Sequence, residues 1–535
     1  MKKIFIAFIS LATLMQLSCT KEHLDQTNTD PTKASAGTFD PNYLLSNTQF
    51  NFANTGYAQL LYEAMMTQGM ASTLNYYGNG DKYVNAGSFN DYQKRIWNDG
   101  YNAVSGVREM QLLANQKGAA SYSNLIAIGD ICFVLYMERI TDTYGDVPYS
   151  QAAQAKAGIT TPVYDSQSSI YPSMLSTLES AIGKLDASKD KPTSDLFYNG
   201  DITKWKKFGY SLMLRIAMRM TKIDLATAKT WAEKASTGGT FESIADNALV
   251  ATDATNSALF NSNANDLLTA TDYVEVKWGK TFIDMLKANA DPRISYISEV
   301  PQAGLANGAD NTTVKPGNTA ATAQLGLPNG YDLLGGATDI RKRSDYPGST
   351  GTGSDTYITG KYSRPVTSVY LNRNNPNFVF TYAETEFLLA EAKVRGFNVT
   401  GTAAQHYANG ITGSLQSLAQ MNSGATIPAA TIATYATAHV LDVTSTENSI
   451  KDINNQYWIS TVSTFSFMEN WFNWKRTGYP VLTPVVYTGN VTNGTIPRRM
   501  PYPTDEPLKN PTNYNAAVAK LPAGNTLTGR TWWDK

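Results

Sequence analysis

Phe380, Ala383, Phe387, Ala390 and Val394 step by 3, 4, 3 and 4 residues, so on an α-helix they form one stripe that must be buried. The same spacing recurs in five stretches nearer the amino terminus: Tyr43 to Met70, Trp97 to Asn115, Tyr122 to Thr141, Ser168 to Leu185 and Thr203 to Met220. Short polar joins separate them, which predicts a solenoid or bundle of packed helices. Around Trp97-Asn98-Asp99-Gly100-Tyr101 the pattern is tetratricopeptide-like, although no clean 34-residue repeat aligns. With 535 residues, 42% of them hydrophobic and 17% charged, the chain can bury an ample core.

Further along, the character changes. Residues 238–377 are rich in Asn, Thr, Gly, Ala and Pro, with one plausible helix from Trp278 to Ala290, so loops and short strands are expected. The stretch 301–360 is far longer than an ordinary connection, and function concentrates on such insertions. Helical spacing returns from Asn377 to about Ser417 and from Ile453 to Lys475. After that, Pro480, Pro484, Pro497, Pro501, Pro503, Pro507 and Pro511 forbid long helices and predict an extended tail over the body. The chain thus divides into an amino-terminal helical region 41–237, a loop-rich region 238–377 and a carboxy-terminal region 378–535 that packs with the first as one body.

Ahead of these regions, Lys2 and Lys3 precede an apolar run from Ile4 to Leu17, followed by Ser18-Cys19. The run is shorter than the roughly 20 residues that span a bilayer, so residues 1–18 read as an export signal rather than a membrane anchor. Leu17-Ser18-Cys19 resembles a bacterial lipobox, with Gln16 standing where Leu is usual. Cys19 is therefore the expected lipidation site and residues 19–40 a polar tether. The run from Leu125 to Ile140 carries Asp130, Glu138 and Arg139, so a buried helix is expected there, with Cys132 as an inert core thiol.

Several kinds of chemistry are excluded. Lys+Arg 44 against Asp+Glu 45 form no basic stripe for a row of phosphates, so nucleic acid is not expected as a partner. His23, His406 and His439 are too few and too scattered for a His-metal cluster, and no motif calls for a metal or a cofactor. Glu384, Glu386 and Glu391 lie on a helix, where structural or solvated roles are expected rather than an acid–base pair. Asp142 and Asp146 sit beside Gly145 and Pro148 and read as fold-defining.

Binding is better supported. In Tyr76-Tyr77-Gly78-Asn79-Gly80-Asp81-Lys82-Tyr83, rings alternate with amide and carboxylate in what reads as a non-helical loop. A sugar ring needs that mixture, a flat face for its C–H groups and bidentate partners for its hydroxyls. The candidate ligand-binding residues are Tyr76, Tyr77, Asn79, Asp81 and Tyr83, together with Tyr331 and Asp332 in the loop-rich region. Trp97, Phe467, Trp471 and Trp474 fall at helical spacing and read as core.

Taken together, Asp142-Thr143-Tyr144-Gly145-Asp146-Val147-Pro148-Tyr149, Asp291-Pro292-Arg293, the run Tyr382 to Ala392, Trp471 to Pro480, Ile496 to Pro503 and Asn513-Tyr514-Asn515 resemble the SusD/RagB family of surface lipoproteins, in its SusD-like branch. The resemblance covers nearly the whole mature chain. It implies a mainly α fold: a tetratricopeptide-like helix-pair scaffold with a loop-rich ligand-binding region and few short strands. It also implies a non-catalytic protein, lipid-anchored to the outer membrane and facing outward, that captures an oligosaccharide and delivers it to a SusC-like TonB-dependent transporter. A peptide-binding member of the same class, an α-helical surface glycosidase and a purely structural scaffold are the alternatives.

Overall fold

The structure, a computed structural model, describes residues 38–85, 91–301, 316–351 and 356–535. The leader, Cys19, His23 and nearly all of the tether lie outside the described residues, as do parts of the 301–360 stretch.

Helices α1 (Asn42–Ala53), α2 (Gln93–Gly118), α3 (Ser123–Tyr144), α4 (Gln167–Lys184), α5 (Ile202–Arg219) and α6 (Leu225–Gly238) follow in order, and each packs on the next. Two of the starts are set by short polar side chains. Asp201 accepts the Thr203 and Lys204 amides ahead of α5, and Asp224 that of Thr227 in α6. In α3 the apolar run is core, as expected: Leu125, Ile128, Cys132, Leu135 and Ile140 are all buried. Burial pushes the Cys132 thiol well above its ordinary range, which leaves it unreactive.

The loop-rich region contributes α7 (Lys280–Ala288) and is followed by α8 (Tyr382–Val394), α9 (Ala403–Met421), α10 (Ala429–Ala438), α11 (Thr446–Ser463), α12 (Phe467–Thr477) and α13 (Pro511–Val518). Helix α8 packs on α9 and α11, α11 on α12, and α5 on α8, which joins the two helical halves. Three two-stranded antiparallel ladders complete the described chain: β1 (Met70–Ser72) with β3 (Val276–Trp278), β2 (Ala248–Val250) with β6 (Asn377–Phe380), and β4 (Ser298–Glu299) with β5 (Arg364–Pro365). The fold is mainly helical with tetratricopeptide-like helix pairs and few short strands.

Three expectations are corrected. The stretch Tyr43 to Met70 is not one helix: Gly56 turns with φ +51°, and the Asn54 side chain is bound to Phe260 O, Ser262 N and Asn377. Phe380 ends strand β6 instead of opening α8, which begins at a capping box of Thr381 and Glu384. The proline-rich tail also contains a helix, α13, whose Pro511 occupies the first turn, where a missing N–H costs nothing.

The charged residues of the motifs meet inside the body. Arg215 donates to Glu138, Arg219 to Asp142 at 3.2 Å and to Glu469, and Trp533 Nε1 to Asp142 at 2.8 Å. Arg476 of α12 grips Glu391 of α8 with two bonds of 2.6 Å. Glu386 pairs with His406 Nδ1 at 2.9 Å, and Glu384 is used by its own cap. All three glutamates of α8 are buried, so they hold helices together rather than facing a cleft. Asp142, read as a turn residue, lies within α3, whereas Asp146 accepts the Gln167 amide that opens α4.

Candidate functional site

The segment read as a loop between Tyr76 and Tyr83 is in fact turn upon turn of helix: a 3-10 turn at Asn75–Tyr77 and one α turn at Gly78–Asp81. Its compactness buries most of the residues singled out there. Tyr77, Asn79, Asp81 and Tyr83 are buried, and only Tyr76 is half-buried. The Tyr77 hydroxyl is consumed by Asp272 at 2.7 Å, which Tyr57 also reaches at 2.6 Å. Asn79 donates to Tyr62, and the Tyr83 main-chain carbonyl takes the Val491 amide. Tyr76 packs edge-on against Tyr57, Tyr77 and Tyr92, a cluster of four rings.

Asp81 links this segment to the second candidate. Its carboxylate accepts Asn329 Nδ2 at 2.7 Å, the Gly330 amide at 2.9 Å and Lys82 Nζ at 3.0 Å, the last two out of water. The loop thus held is also stitched to the end of β3, where Leu327 exchanges backbone bonds with Trp278 and Lys280. Gly330 has φ +85°, and a Cβ there would lie 2.3 Å from Val485, so the close approach of the 483–486 segment requires glycine.

Beyond Gly330 the chain presents Tyr331 outward and Asp332 inward. Asp332 is buried and accepts the Leu334 amide, Thr338 Oγ1 and Tyr487 OH at 3.0, 2.8 and 2.7 Å. Burial alone would raise its pKa, but these bonds hold it below the usual carboxylate range. Burial and the Asp332 bond in turn push Tyr487 up to about 12. The half-buried Tyr331 carries the Arg343 guanidinium over its ring at 4.9 Å and accepts Nη1 at 2.6 Å, while Asp345 holds the other edge of Arg343 with two bonds of 2.7 Å.

Tyr331, Asn329, Thr338 and Arg343 form one side of a cleft of about 550 Å³, faced by Gln68, Lys280 and Thr281 and by the segment Thr483 to Val486. Gln68 is anchored by Thr483 O and Thr281, and Lys280 pairs with Asp284 along α7. Every charge on this lining therefore has a partner beside it. The cleft offers an aromatic ring, amides and hydroxyls with no net charge, and its size is that of a small-molecule site. Tyr76 does not reach it. Asn79 lines a separate cleft of about 530 Å³ under the proline-rich tail, beside Tyr502 and Tyr514. Gln68, Arg343 and Tyr487 were not singled out from the sequence; Arg343 carried a signal in its spacing, two residues before Asp345 in a loop. Among the described residues, no three His, Cys, Asp or Glu side chains gather to hold a metal ion.

A family model described as starch-binding, associating with the outer membrane, matches residues 31–503. The chain belongs to this SusD-like family. Among solved structures, a chitin-binding protein is 29% identical and superposes with a TM-score of 0.76, covering 92% of this chain and 100% of its own. A SusD-like protein from Bacteroidetes, 23% identical, superposes at 0.78 over 93% of this chain and 100% of its own. A chitin-binding SusD homologue from Flavobacterium johnsoniae, 22% identical, superposes at 0.70 over 92% and 99%. The last two speak for the fold alone. No match is found among curated proteins. The coarse function carried by the family is nutrient binding in association with the outer membrane.

Proposed function

We propose that this chain captures a neutral oligosaccharide in the Tyr331 cleft at the cell surface and passes it, chemically unaltered, to a SusC-like TonB-dependent transporter. The observation that carries the reading is the cleft's charge balance. An aromatic ring stands among amides and hydroxyls, and its cations are already matched by Asp284 and Asp345. A neutral polyol gains there from ring contact and hydrogen bonds without displacing an ion pair. Asp81 and Asp332 act as positioning residues that fix the loop bearing Tyr331. The chitin-binding description of the 29% identical structural neighbour supports a glycan over a peptide. Cys19, acylated as the first mature residue, holds the protein to the outer membrane.

Capture beside a transporter needs release afterwards, so affinities between about 1 mM and 1 μM, or about −4 to −8 kcal/mol, suffice. Calorimetric titration of the mature protein with neutral chito- and malto-oligosaccharides, and with uronate-containing and peptide ligands, tests the reading. Binding of a neutral glycan, recovered intact by chromatography, is the expected result. Binding of peptides alone, or the appearance of cleaved sugar, would overturn it. Radiolabelled fatty acid incorporated by the wild type but not by Cys19→Ala checks the anchor, and co-purification with a transporter checks the partner.

A further inference from the structure

We propose that Arg139 and the polar cavity at its tip form a site for a small carboxylate ion, of the size of formate or acetate. The cavity lies apart from the Tyr331 cleft, where the amino-terminal helices, the loop-rich region and α12 meet, and the inference is independent of the glycan reading.

Arg139 differs from its two neighbouring arginines in the helical core. Arg215 and Arg219, packed nearby, each have acidic partners. Arg139 has none within ion-pair distance among the described residues. Its guanidinium lies 3.4 Å from the centroid of the Phe52 ring and Nη1 donates to Phe52 O; its other N–H groups make no hydrogen bond among the described residues, and the side chain lines the cavity. The acids around it are committed elsewhere. Glu138 is bonded by Arg215, and Glu469, which also reaches the cavity, is bonded by Arg219 and Tyr457. Burial pushes the Glu63 carboxyl up to about 8, so it is protonated at neutral pH. Burial and the neighbouring Arg215 push Arg139 itself down to about 9, as befits a cation without a counter-charge.

The cavity fits a planar anion. Thr55, Gln59, Asn263, Asn377 and Ser466 line it together with Arg139; the three amide groups each spend one N–H on a neighbour and have a second to donate. Its volume of about 50 Å³ corresponds to about three to five water-sized atoms on the same scale. That is room for a carboxylate with at most a short tail, and too little for a sugar ring. A guanidinium edge binds such a group with two parallel bonds.

Titration of the mature protein with [13C]formate, followed by NMR line width at constant ionic strength against chloride, tests the site, with phosphate as a tetrahedral probe. The expected result is saturable formate binding, at least tenfold weaker in Arg139→Gln. Thr55→Leu fills the cavity at a half-buried position whose hydroxyl makes no hydrogen bond among the described residues, and it should weaken binding likewise while the protein stays folded. Formate binding no stronger than chloride in the wild type would overturn the proposal, as would phosphate binding in place of formate. Undiminished binding in either folded variant would overturn it too.

Discussion

Asp81 accepts the Gly330 amide at 2.9 Å across 249 positions of sequence. Two segments that look like separate binding loops in the sequence are therefore parts of one construction, in which the buried turn of the first clamps the loop that carries the ring of the second.

Replacing Asp81 by Asn keeps its shape but leaves the buried Lys82 without its counter-ion. We expect a loss of about 3–5 kcal/mol in urea unfolding, the range for breaking one half of a buried pair. We also expect weaker oligosaccharide binding in the calorimeter. A folded D81N protein with unaltered affinity would detach this clamp from the site.

Tyr331→Ala is expected to weaken oligosaccharide binding at least tenfold, about 1.4 kcal/mol, with little change in Tm. Tyr331→Phe, which keeps the ring and loses only the Arg343 bond, should stay within about threefold, about 0.65 kcal/mol. Tyr76→Ala, outside the lining of this cleft, should leave affinity unchanged; the reverse pattern would move the site to the Tyr57, Tyr76 and Tyr92 cluster.

Burial alone would raise Glu391, but Arg476 and Arg395 hold its carboxyl far below the usual range. A folded-state pKa below the unfolded value of about 4.3 gives stability that is complete above that pH and lost as the pH falls below it. Glu391→Gln should cost about 3–5 kcal/mol near neutrality. The gap to wild type should narrow below about pH 4, as seen in urea midpoints measured against pH.

Glu63 runs the other way. It is buried, neither of its oxygens has a partner among the described residues, and burial pushes it up to about 8. The unfolded chain ionises it near pH 4.3, so wild-type stability falls between about pH 4.3 and 8 and levels off above. Glu63→Gln removes that slope. Its Tm advantage should be small near pH 4.5 and grow up to about pH 8 in calorimetric scans, and a constant difference would show that the carboxyl does not titrate there.

The helical body was legible because its signal is local. The stripe Ala383, Phe387 and Ala390 needs only a period of 3.6 to be read, and all three side chains are buried. The same holds for Trp97, Phe467, Trp471 and Trp474, read as core and found buried. The break after Ala53 was not legible, because the Asn54 side chain is held by residues more than 200 positions away. For the same reason Tyr77 looked like a ligand platform: nothing near it in sequence reveals that Asp272 takes its hydroxyl. Of the pair Tyr331 and Asp332, the sequence indicates a polar loop, but one of the bonds that turn Asp332 inward comes from Tyr487, 155 positions away.

The pairing of Lys280 with Asp284 and of Arg343 with Asp345 leaves the cleft without a long-range field. Mobile salt screens such fields within about 8–10 Å and has nothing here to screen. Sugar capture in this cleft should therefore change little between dilute and briny surroundings, as titrations at low and high salt would show.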